Sequence, residues 1–80
     1  MRSEKEEDRQ EAPLTRIQVN GKEAVVPGPI SVRGLLEHLD LQPELVVVER
    51  NREILSRDRY DRVDVEEGDR FELVHFVGGG

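Results

Sequence analysis

The sequence contains no cysteine. That absence excludes a disulfide framework, a thiolate metal site, a catalytic thiol and a persulfide carried on the protein itself. No apolar run approaches the roughly 20 residues that a membrane-spanning helix needs, and the first residues are charged where a secretory leader would be apolar. A cytoplasmic protein with no membrane partner is expected. Basic charge is also short: 12 Lys and Arg against 18 Asp and Glu give a net charge of -6. Nucleic-acid binding rests on clustered cations that release counterions, so no nucleic acid is expected among the partners, and a protein with a basic surface fits better. The two histidines, His38 and His75, are far apart in sequence and have no thiol beside them, so neither a metal site nor a bound cofactor is expected. Pro27-Gly28-Pro29 lacks the lysine and glycine spacing of a phosphate loop and reads as a connector.

Eighty residues support one small domain, because so short a chain buries only about 60% of its unfolded surface. Residues 1–13 (MRSEKEEDRQEAP) hold five acids and three bases and almost nothing apolar. They read as a disordered charged leader, with the folded domain over residues 14–80. Subtracting the leader's -2 from the total of -6 leaves -4 on that domain.

From Leu14 onward the pattern changes. Ile17 and Val19 alternate with Arg16 and Gln18, and Asn20-Gly21 separates them from Glu23-Ala24-Val25-Val26. An Asn-Gly pair between two such runs predicts a hairpin, because both residues tolerate positive φ. Pro27-Gly28-Pro29 stops the second strand. Ser31 then caps a helix whose Val32, Leu35, Leu36 and Leu39 form one apolar stripe, while Arg33, Glu37 and His38 face away. The helix ends over Asp40 to Pro43, and Leu45 to Val48 reads as a strand buried on both faces or nearly so, the central strand of the sheet. Asn51 to Asp64 is polar and irregular. Ile54, Leu55 and Tyr60 are its expected anchors, with a short strand near Ile54 and one helical turn around Ser56 to Tyr60. Arg50, Arg52, Arg57, Arg59 and Arg62 interleave with acids, which predicts a solvated face of weak ion pairs. After a turn at Glu66 to Asp69, Phe71 to Val77 forms the last strand and runs directly into Gly78-Gly79-Gly80.

Hairpin, helix, strand, irregular segment and strand combine into an α+β fold: a mixed sheet of four to five strands packed on one main helix, the β-grasp or ubiquitin-like arrangement. Ile17, Val19, Ala24, Val26, the helix stripe, Val46 or Val47, Phe71 and Leu73 are the expected core. If Phe71, Leu73 and His75 face the helix, alternation turns Glu72, Val74 and Phe76 to the opposite side. Together with Val77 they form an expected partner-binding surface beside a flexible glycine tail over residues 78–80.

No acidic pair sits in an evident apolar pocket that would tune it for acid-base work, so an independent enzyme is not expected. The feature with chemical potential is the glycine end. A tail without Cβ atoms can thread a narrow channel and present its carboxylate to another protein. A terminal carboxylate has a pKa of about 3.5, so at neutral pH it is ionised and must be activated before it can react as an acyl group.

The runs VNGKEAVV, VRGLLEHL, VVVERNREILSR and EGDRFELVHFVGGG together resemble the bacterial ThiS family of sulfur carriers over residues 16 to 80. The resemblance implies a protein co-substrate and not a catalyst. It implies that Gly80 is adenylated by a ThiF-like enzyme that consumes ATP, and that a sulfur donor enzyme then converts it to a thiocarboxylate. It also implies a ThiG-like thiazole synthase that takes the sulfur for the thiazole of thiamine. Gly79 completes the Gly-Gly ending shared with MoaD, and Gly78 is an extra glycine before that pair. The 13-residue leader departs from the compact family pattern. Two alternatives stand beside this reading: a MoaD-like carrier for molybdopterin synthesis, and a ubiquitin-like interaction module or protein modifier with no sulfur role.

Overall fold

A computed structural model describes residues 13–76. The expected leader, apart from Pro13, and Val77, Gly78, Gly79 and Gly80 lie outside the described residues.

The chain runs β1 (Leu14–Val19), β2 (Lys22–Pro27), α1 (Val32–His38), β3 (Val46–Arg50), β4 (Glu53–Leu55) and β5 (Arg70–His75). Single 3-10 turns lie at Pro43–Leu45 and Arg57–Arg59. The sheet order is β2-β1-β5-β3-β4. Only β1 and β5 are parallel, while the β1-β2, β3-β4 and β3-β5 ladders are antiparallel. β5 holds the centre, where β3 is expected from the sequence: β3 lies one place out, between β5 and β4. Among the described residues this is the mixed five-stranded sheet packed on one helix of the β-grasp fold.

Local sequence accounts for each junction. Asn20 and Gly21 take φ of 50° and 83°, the pair of positive values that a two-residue hairpin turn demands. Ser31 Oγ accepts from Gly34 N at 3.0 Å and satisfies one of the free donors at the start of α1. The helix closes where Asp40 enters the left-handed region at φ 64°. Leu41 N then donates back to Leu36 O at 2.9 Å and Asp40 N to Glu37 O at 3.0 Å, a Schellman arrangement.

The core is Ile17, Val26, Val32, Leu35, Leu36, Val46, Val48, Tyr60, Val65, Phe71 and Leu73, with Val19, Ala24, Leu39, Leu55 and Val63 packed at its edge. Val46 and Val48 face α1, and Val47 lies on the opposite side. Two expectations are corrected. His75, the last residue of β5, is exposed and not turned into the core although its ladder partner Val46 is fully buried, so the cover over β3 does not extend across to the end of β5. Ile54 is 69% exposed. It pairs with Glu49 on the far face, so Leu55, opposite Val48, is the anchor on that strand. Tyr60 is an anchor as expected, and its hydroxyl donates to Val46 O at 2.7 Å.

The arginine-rich segment is less uniform than a solvated face. Arg50 Nε donates to the buried Asp69 carboxylate at 3.0 Å, and Arg57 donates to Pro43 O and Val46 O. Asp69 also accepts from Asn51 Nδ2 and Glu66 N, tying the end of β3 to the turn that opens β5.

Candidate functional site

The site is built on β5, the strand that leads to the glycine end. Its alternation is clear: Phe71 and Leu73 are buried, while Arg70, Glu72 and Val74 are exposed. Val74 is 54% and Phe76 is 53% exposed, unusual for residues of these types. Phe76 N donates to Leu45 O at 2.8 Å, so the backbone is anchored beside β3 up to the last described residue.

Register adds residues that sequence reasoning missed. Val74 is the direct partner of Val47, and Glu72 of Glu49, across the β5-β3 ladder. Glu49 in turn faces Ile54 on β4. The face of the sheet away from α1 therefore joins Val47, Val74 and Ile54 to two opposed carboxylates, with Phe76 at its end. An exposed apolar group rimmed by charge is the pattern of a protein-binding surface, and the aromatic is the natural anchor. The expected members Glu72, Val74 and Phe76 are thus brought together, while Val77, Gly78, Gly79 and Gly80 lie outside the described residues. Alternation along β3 carried a usable sign of Val47 and Glu49, but only the pairing register places them against β5.

Among the described residues no cluster of three or more His, Cys, Asp or Glu could hold a metal ion. A shallow depression beside β1, lined by Arg16, Gln18, Glu23, Glu67, Gly68 and Arg70, mixes two cations with two anions and so offers no field of one sign to a charged cofactor. Among the described residues, too, no helix is long and apolar enough to cross a membrane.

The fold and the exposed surface on β5 define a ubiquitin-like β-grasp protein. The profile described as the ThiS family matches residues 6–80, and the chain belongs to that family. The sulfur carrier protein ThiS of Bacillus subtilis is 40% identical over 65 residues, which span 80% of this chain and 98% of that protein. A thiazole synthase of Magnetococcus marinus is 42% identical over 65 residues, but the match spans only 20% of that protein's length. The crystal structure of a thiamine biosynthesis protein (ThiS) from Geobacter metallireducens superposes with a TM-score of 0.70 at 40% identity, covering 82% of this chain and all of that one.

Proposed function

We propose that this protein is a sulfur carrier for thiazole synthesis in thiamine formation, with Gly80 as its reacting residue. The observation that carries the reading is the 40% identity to a ThiS sulfur carrier over almost that protein's whole length. In this scheme the chain is a co-substrate and performs no catalysis of its own. A carboxylate oxygen of Gly80 attacks the α-phosphorus of ATP on a ThiF-like enzyme, and pyrophosphate leaves. A sulfur donor enzyme then supplies sulfide-level sulfur, which displaces AMP from the acyl carbon and leaves a thiocarboxylate.

A ThiG-like thiazole synthase takes the sulfur. That partnership is supported by the ThiS-like stretch within thiazole synthases of Magnetococcus marinus and Paramagnetospirillum magneticum. Gly78 and Gly79 serve as the thread that carries Gly80 into each partner. Glu72, Val74, Phe76 and Val77, extended by Val47, Glu49 and Ile54, form the docking surface, whose two carboxylates suit a basic counterpart. All of these steps belong to the cytoplasm, where ATP is supplied.

The test is carrier-dependent exchange of labelled pyrophosphate into ATP by the ThiF-like enzyme. Full-length protein should support exchange and a chain lacking Gly78, Gly79 and Gly80 should not. Equal exchange with both, or none with either, defeats the proposal.

A further inference from the structure

Asn20 grips Leu73 with both ends of its carboxamide. Leu73 N donates to Asn20 Oδ1 at 2.8 Å, and Asn20 Nδ2 donates to Leu73 O at 3.3 Å, between residues 53 apart in sequence. Asn20 N also donates to Phe71 O at 2.8 Å. Backbone pairing of β1 with β5 runs only through Gln18 opposite Arg70 and Val19 opposite Phe71, because the chain turns away at Asn20-Gly21 into β2. The next rung on this edge falls at Leu73. A carboxamide offers donor and acceptor together, as a peptide group does, and so stands in for the missing strand residue.

This contact bears on how the reacting end is presented. On its other edge β5 is held by β3 from Phe71 through His75, and Phe76 N bonds Leu45 O. On the β1 edge the grip of Asn20 is the last hydrogen bond among the described residues, three residues before Phe76. Without it, two-sided support would retreat to Phe71, and the end of the strand could leave the sheet in more directions. A partner must then select the competent direction from a wider set, and apparent affinity falls with the fraction of chains that hold it.

We infer that Asn20 is a positioning residue for the carrier's reacting end, acting through Leu73 to fix the line along which β5 delivers Gly80 to the adenylating enzyme. The inference rests on the proposed function. Asn20 has a second duty in the hairpin at φ 50°, and the test must keep that duty intact.

Two variants do so. Asn20→Gly accepts positive φ and removes the carboxamide. Asn20→Asp keeps the shape and the acceptor for Leu73 N but loses the donor to Leu73 O. Adenylation is measured with the carrier as varied substrate, beside backbone order parameters at His75 and Phe76 by NMR. For both variants KM for the carrier should rise about threefold to tenfold, with kcat at saturation within about twofold of wild type and order parameters lowered. An unchanged KM in both, a kcat loss that saturation does not restore, or unchanged order parameters overturns the inference. If wild-type carrier is not adenylated at all, the proposed function fails, and the order parameters alone decide the role of Asn20.

Discussion

Glu72 lies directly opposite Glu49 across β5 and β3, on the face of the sheet away from α1. Two like charges at paired positions oppose folding by a few tenths of a kcal/mol to about 1 kcal/mol. The pair is intelligible if a basic partner covers it during function. Glu72→Gln should therefore raise the melting temperature slightly and also slow association with the adenylating enzyme, by about twofold to fivefold at low salt. The loss should shrink as salt rises, because screening removes the same attraction. Stopped-flow association at two ionic strengths checks it; a variant that associates as fast as wild type at low salt shows that the carboxylates do not steer.

Phe76 is half-exposed at the end of the proposed docking face, so its truncation should cost no more than about 0.5 kcal/mol of stability. As the aromatic anchor of an interface it should cost far more in binding, about 1 to 3 kcal/mol, or a fivefold to hundredfold rise in KM for adenylation. Phe76→Ala is checked by thermal melting beside steady-state kinetics. An unfolded variant, or a folded one adenylated normally, contradicts the docking role.

Asp69 is 6% exposed and accepts from Arg50 Nε, Asn51 Nδ2 and Glu66 N at 3.0, 3.1 and 2.8 Å. Asp69→Ala strands all three donors, and should cost about 2 to 4 kcal/mol. Urea unfolding measures this directly, and a loss below about 1 kcal/mol would mean that water satisfies the freed groups.

Tyr60 gives a smaller, cleaner case. Its buried hydroxyl bonds Val46 O at 2.7 Å, and Arg57 Nη2 reaches the same oxygen at 3.5 Å. Tyr60→Phe leaves that carbonyl partly satisfied and should cost about 1 kcal/mol. Urea unfolding again decides, with a loss above about 3 kcal/mol contradicting the shared role of Arg57.

Much of this fold is readable in the sequence because its signals are local. Asn20-Gly21 marks the hairpin through its own backbone preference, Ser31 marks the helix start, and the stripe from Val32 to Leu39 marks the buried face. Alternation from Phe71 to Phe76 likewise reveals the exposed Val74 and Phe76. What escapes is set at long range. Nothing near Asn20 announces that its side chain reaches Leu73, and nothing near Asp69 announces Arg50. Val63 and Val65 reach the core from an irregular segment without periodicity. His75 departs from simple alternation because burial depends on what covers a strand, and the cover over its partner Val46 does not reach across to it. Val47, Glu49 and Ile54 join the site only through register, which a single strand does not carry.

The central claim is that Gly80 carries sulfur as a thiocarboxylate, and the intact mass of the protein tests it most directly. After incubation with ATP, a sulfur donor and the ThiF-like enzyme, the full-length chain should gain the mass of one oxygen replaced by one sulfur, and a chain lacking Gly78, Gly79 and Gly80 should gain nothing. A full-length mass that never changes, or an equal gain in the chain without its three terminal glycines, would contradict the account.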